Sequence, residues 1–175
     1  MPMPRAELSA AVAGQVSALL SVTRRLGGRL AHVKPHGALY NAAATDRSLA
    51  LSIAEGVARV APGVVLVGLA GSAMLESFER AGFPVAGEAF ADRGYEPDGS
   101  LTPRGRPGAL KETPEEVAAQ AVSIAVRGEV VASNGAKAPV SARTLCLHSD
   151  TPGAAAFARA VAARLREAGV EIRSL

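Results

Sequence analysis

The chain has 175 residues, with 19 basic against 16 acidic side chains and a net charge of +3. Apolar residues make up 49% and charged residues 20%, which excludes a disordered chain and suits one globular domain over 1–175. No continuous apolar run reaches the roughly 18–20 residues of a membrane span. No basic start leads into an apolar signal core. The single cysteine, Cys146, allows neither an internal disulfide nor a cysteine-rich zinc site. A cytoplasmic protein is expected, without a membrane partner. The isoelectric point of about 9.5 invites a nucleic-acid partner. The basic residues are scattered, however, and no stripe of cations interleaved with aromatics exists, so nucleic acid is not expected.

Helical and extended patterns alternate along the chain. Residues 5–26 read as a helix with Leu8, Val12, Val16, Leu19 and Leu20 on one side and a stop at Gly27-Gly28. Residues 30–33 are a short strand. Thr45 or Asp46 caps a helix to about Val60, and residues 64–69 form an apolar strand of the kind buried on both faces. Residues 72–81 are helical and 84–90 extended. A Gly/Pro-rich loop covers 91–110. Thr113-Pro114-Glu115-Glu116 is a helix start with a capping box, and that helix ends near Gly128. Residues 129–132 and 138–142 flank a β-hairpin turn. Residues 144–148 are a strand, Thr151-Pro152 opens a helix to Ala168, and 170–172 are extended.

This alternation predicts a parallel α/β sheet, because parallel strands need crossover helices. An open sheet and a closed barrel both fit. Neither standard nucleotide-binding glycine loop is present. A closed eight-stranded barrel takes about 250 residues. Four or five parallel strands, preceded by a helix, read as the later part of a barrel whose first strands are absent.

Three clusters could carry chemistry, and each follows a predicted strand, where α/β barrels build active sites. In the first, His32, Lys34 and His36 point to one side if the strand continues through them. Two imidazoles and an ammonium make a poor core, although a surface turn is the plain alternative. A metal held by His32 and His36 would need a third ligand. In the second, Glu88, Phe90 and Asp92 share a face, and Arg93, Arg104 and Arg106 follow on the loop. Arginine suits a two-point grip on carboxylate or phosphate. The alternative is a solvated loop with local ion pairs. In the third, Cys146, His148 and Asp150 share a face ahead of a helix start. There Asp150 or Thr151 is expected to serve as N-cap, and Cys146 as a small core residue. All three histidines of the chain therefore fall on one predicted edge.

The runs His32–Asn41 (HVKPHGALYN), Val67–Ser72, Glu88–Arg93 with Tyr95–Gly99, and Cys146–Asp150 together resemble the LamB/YcsF family of lactam-utilisation proteins. The resemblance runs the length of the chain. It implies a seven-stranded (β/α) barrel of the glycoside hydrolase and deacetylase type. It also implies the A-subunit of the ATP-dependent 5-oxoprolinase, which opens the lactam 5-oxoproline to L-glutamate with partner subunits B and C. ATP, with Mg2+, would be the co-substrate. The family's early motifs Asp-Leu-Asn-Cys-Asp-Leu-Gly-Glu, Phe-His-Ala-Gly-Asp and His-Pro-Gly-Tyr are absent here, and Ser149 stands where the family usually has glycine.

By motif position and chemistry, His36, Asp92, His148 and Lys34 are the expected catalytic residues. His32, Tyr40, Asn41, Arg93, Arg104 and Asp150 are expected to bind substrate, and no resident metal is expected. An amide is a poor electrophile. Phosphorylating its oxygen would create a leaving group; cations would stabilise developing charge, and imidazole or carboxylate would carry protons. Two rivals stand beside this reading. One is a metal-dependent carbohydrate deacetylase, whose third ligand would be Asp92, Asp150 or His148. The other is an inactive remnant that only binds partners. An incomplete barrel would expose a strand edge and apolar surface, so self-association into a homo-oligomer is also expected.

Overall fold

The structure is a computed structural model and describes residues 3–175. The chain divides into two compact units, the first ending at Gly87 and the second running from Glu88 to Ser174.

The first unit opens with α1 (Arg5–Arg25), followed by β1 (His32–Val33), α2 (Gly37–Thr45), α3 (Arg47–Ala58), β2 (Val65–Leu69) and α4 (Ala73–Arg80). Strand β3 (Val85–Phe90) begins here and ends in the second unit. β1 pairs in parallel with β2, His32 opposite Val65. The Leu66 N–H donates to the Pro84 carbonyl at 2.9 Å, at the entry to β3. Two caps set the helices, Asp46 as one of the two candidates read from sequence and Ser72 at the start of the predicted 72–81 helix. Asp46 accepts from the N–H groups of Ser48 (2.8 Å) and Leu49 (3.1 Å), and Ser72 Oγ accepts from that of Leu75 at 3.2 Å. Ile53, Val57, Leu66, Met74 and Phe78 are buried and form the apolar centre of this unit. A fully buried side chain of this size contributes roughly 1.5–3 kcal/mol.

Helix α1 qualifies the membrane reading. It contains no unbroken apolar run, yet an 18-residue window has a mean hydropathy of 1.2, enough by length and composition to cross a membrane. Alanine, valine and leucine interspersed with serine and glycine raise the average without a continuous stretch. Only Leu8, Ser9 and Val16 of this helix are buried, while Leu19, Val22 and the following Leu26 are exposed. The expected stripe of five apolar residues is thus only partly covered.

The second unit continues with α5 (Pro114–Val122), a π-helical turn over Ser123–Arg127, β4 (Glu129–Val131), β5 (Lys137–Pro139), β6 (Thr144–Cys146) and α6 (Ala154–Glu167). β3 pairs in parallel with β6, Phe90 opposite Cys146. The parallel strand order is β1-β2-β3-β6, and β4-β5 is a separate antiparallel hairpin with Val130 opposite Ala138. The capping box at Thr113 forms as read: Thr113 Oγ1 accepts from the Glu116 N–H, and the Glu116 carboxylate accepts from the Thr113 N–H. Ala91, Val117, Ala121, Phe157, Val161 and Leu165 make the apolar core between α5, α6 and the end of β3. The loop from Ala91 to Leu110 is tied by bridges between Arg93 and Leu110 and between Tyr95 and Leu101.

Three sequence-based assignments need correction. Helix α2 has no counterpart in the predicted elements; the positive φ of Gly37 (61°) lets the chain turn from β1 directly into it. Helix α6 starts at Ala154 with Gly153 as N-cap in the left-handed region, so neither Asp150 nor Thr151 caps it. Residues 170–172 form no strand.

Candidate active site

In the first unit, His32, Lys34 and His36 line one cavity of about 1200 Å³, walled otherwise mostly by apolar residues of α1, α2 and α3, with Gln15 of α1 a further polar side chain. Strict alternation does not bring them together. β1 ends at Val33, and Val33 and Pro35 face the same cavity. The convergence comes from the loop between β1 and α2, where His36 occupies the N-cap position in an extended conformation. Tyr40 is buried in α2 and Asn41 is exposed on it; neither lines the cavity.

In the second unit, Asp92 and His148 meet. Each follows the C-terminal end of a parallel strand, β3 and β6, and those strands are neighbours. Asp92 Oδ2 lies 2.7 Å from His148 Nδ1 and also accepts from the His148 backbone N–H at 3.0 Å. Two contacts to one oxygen fix both the ring and the main chain that carries it. Asp92 is 1% exposed, and the His148 side chain 22%. Asp92 Oδ1 is buried with no hydrogen-bond partner among the described residues. Phe90 stacks on the imidazole, with centroids 5.5 Å apart and planes at 20°. With the proton on Nδ1, shared with Asp92, the other ring nitrogen is the proton acceptor. This is the arrangement by which a carboxylate orients a general base.

Of the arginines, Arg93 is buried and engaged by its own loop. Its Nε donates to the Ala109 carbonyl at 3.1 Å and its guanidinium to that of Thr102 at 2.7 Å. Burial, and then the nearby Arg104, lower its pKa from the usual arginine value. Arg104 and Asp150 form an exposed ion pair at 4.0 Å, worth little to stability but placing a cation on the loop after Arg93. Cys146 is a half-buried thiol within β6, and its carbonyl accepts from the Ala91 N–H at 3.1 Å.

Sequence reasoning missed Gln120. Its amide nitrogen donates to the carbonyls of Phe90 (2.9 Å), Ala91 (3.1 Å) and Arg93 (2.7 Å), the residues on either side of Asp92. A buried glutamine on an otherwise apolar helix face (Val117, Ala118, Ala121) is the available signal. Among the described residues no group of three His, Cys, Asp or Glu side chains is arranged to hold a metal ion. The deacetylase reading therefore gains no support from the geometry.

A parallel α/β protein with an oriented histidine–carboxylate pair just beyond two strand ends defines the class. The LamB/YcsF family model matches residues 1–175, and the chain belongs to the LamB/YcsF family. The A-subunit of 5-oxoprolinase from Streptomyces griseus is 46% identical over 174 residues, covering 99% of this chain and 70% of that protein. The protein of the same name from Methylococcus capsulatus is 50% identical over 161 residues, covering 92% and 62%. A crystal structure of a lactam utilization protein from Thermus thermophilus superposes with a TM-score of 0.93 at 42% identity. It covers all of this chain and 70% of that one. The chain thus spans about two thirds of the length of these relatives.

Proposed function

We propose that the chain works as the A-subunit of a 5-oxoprolinase, opening the lactam ring of 5-oxoproline to give L-glutamate. Relatives 44–50% identical carry the name of that subunit. The single observation that carries the chemistry is the Asp92–His148 pair. Asp92 holds the imidazole by Nδ1, and the other ring nitrogen takes a proton from the attacking water or returns one to the leaving nitrogen. In the second unit Arg104 is a cation suited to the charge that develops on a lactam oxygen or an added phosphoryl group, and in the first unit Lys34 lines the cavity as a cation of its own. His32 and His36 line the first unit's cavity and are proton carriers there.

The finer parts of this reading are proposals of the same kind. ATP drives the reaction by transferring its γ-phosphoryl group to the lactam oxygen, with ADP leaving. Water then adds to the activated carbon, the C–N bond breaks with a proton passing to nitrogen, and inorganic phosphate leaves as the new carboxylate forms. Mg2+ enters on the nucleotide, keeping phosphate and water as most of its ligands. Subunits B and C complete the enzyme. The parallel strands are part of a seven-stranded barrel, and the protein works in the cytoplasm. Exposed Leu19, Val22 and Leu26 favour self-association.

The test is turnover of 5-oxoproline by the chain combined with subunits B and C, with and without ATP. Glutamate should form only with ATP, and His148→Gln should lower kcat by roughly 10²–10⁴-fold. Undiminished turnover in His148→Gln would remove the pair from the mechanism.

A further inference from the structure

We propose that Gln120 is the positioning residue of the Asp92–His148 pair, an inference that rests on the reading of that pair as the proton carrier. Asp92 lies two residues beyond the end of β3, just past the last bond of the parallel ladder, which runs from the Ala91 N–H to the Cys146 carbonyl. Something else must fix the direction in which its carboxylate points. Gln120 reaches this turn from α5, 27 to 30 residues away in sequence, and gathers the carbonyls of Phe90, Ala91 and Arg93 at 2.7–3.1 Å. Two amide protons serve three acceptors, so at least one is shared, and the three carbonyls are drawn toward one point. The Asp92 carbonyl, left out of this group, accepts instead from the Lys111 N–H at 3.0 Å. The turn is thereby held from two sides, and Asp92 has one direction in which to extend.

The required precision is high. A functional group needs to be held within about 0.5 Å of its working geometry by residues that are themselves locked. Gln120 is buried, and its helix is anchored by the apolar core residues Val117 and Ala121. The chain of support runs from the core, through the amide, to the main chain around Asp92, to the imidazole. A side chain serving stability alone would not need to gather carbonyls from both sides of one acidic residue.

The experiment reads the imidazole directly. The chain has three histidines, so His148 is assigned in 15N NMR spectra by its loss in His148→Gln. In the native chain the neutral ring should carry its proton mainly on Nδ1, toward Asp92; a free neutral imidazole in water favours the other nitrogen. Asp92→Ala should shift His148 to the water-like form. Gln120→Ala should shift it in the same direction, and Gln120→Met, which keeps length and packing and removes only the donors, should do likewise if Gln120→Ala does not fold. Thr113→Ala weakens the start of the same helix without touching the amide, and should leave the His148 signature native. A native signature in folded Gln120→Met, or an equal shift in Thr113→Ala, overturns the positioning role. A native signature in Asp92→Ala would instead defeat the proton-carrier reading itself.

Discussion

Asp92 and His148 stand 56 residues apart in the chain and 2.7 Å apart in space, and two of the histidine's N–H positions converge on the same carboxylate oxygen. Groups joined in this way act as one device. Asp92→Ala and His148→Gln should each lower 5-oxoproline turnover by roughly 10²–10⁴-fold, and the double variant should be no slower than the slower single one. A double variant whose loss is the product of the two single losses would mean that the residues act independently.

Gly56, in the last turn of α3, meets α1 at contact distance. A Cβ at this position would lie 2.6 Å from the Ser9 carbonyl oxygen and 2.8 Å from Val12 Cβ. Alanine gains up to about 1 kcal/mol in a helix interior over glycine. Here that gain is outweighed by overpacking against backbone, which costs roughly 1–3 kcal/mol. Gly56→Ala should therefore lower Tm. Gly14 in α1 has nothing within 4 Å of its absent Cβ. Gly14→Ala should gain about 1 kcal/mol and raise Tm by a few degrees. Thermal melts of the two variants moving in the same direction would contradict this account of the α1–α3 contact.

What the sequence disclosed and what it hid follow from range. The caps at Asp46 and Thr113 are contacts within three residues, and each formed where local chemistry put it. The residue types at the ends of β1, β3 and β6 were visible because strand ends in α/β proteins gather polar groups. The partner of each was not. Nothing local says that Asp92 takes His148, that Arg93 turns back onto the Ala109 and Thr102 carbonyls, or that Gln120 crosses to β3. The missed helix α2 has a different cause. The His-Val-Lys-Pro-His stretch reads as extended, and the chain leaves that state only through the left-handed backbone of Gly37. Gly153 likewise displaced Asp150 and Thr151 as the cap of α6, leaving Asp150 opposite Arg104.

The capping box at Thr113 makes stability depend on acid. The N–H groups of Glu112 and Thr113, and then the Thr113 hydroxyl, hold the Glu116 carboxyl below the usual glutamate range. A depressed folded value means that the contribution is present above the unfolded pKa of about 4.3 and is lost as pH falls through the folded one. Glu116→Gln should remove this part of the acid dependence of Tm while changing Tm little at neutral pH, because glutamine also completes a capping box. Thr113→Ala should cost about 1 kcal/mol at pH 7. Melting curves between pH 3 and 7 check both, and an acid limb unchanged in Glu116→Gln would assign it to other carboxylates.

Tyr95 should control the opposite limb. Its ring is buried, and its hydroxyl oxygen accepts from the Phe90 N–H at 2.7 Å, beside the turn that carries Asp92. Burial pushes the phenol well above the ordinary tyrosine value of about 10, and the Phe90 N–H and Arg93 offset only part of that. The unfolded chain therefore releases this proton first as pH rises. The stabilising contribution is complete below about pH 10 and is lost above it, toward the raised folded value. Tyr95→Phe removes the ionisable group, so stability should fall less steeply with pH above 10 than in the native chain. The same substitution leaves the Phe90 N–H without its acceptor, at a cost of roughly 1–3 kcal/mol at neutral pH. Denaturant midpoints at pH 7 and pH 10.5 separate the two effects: the variant should be weaker at pH 7, and the gap should narrow at pH 10.5. A gap that stays constant would show that the buried phenol does not set the alkaline limit of this fold.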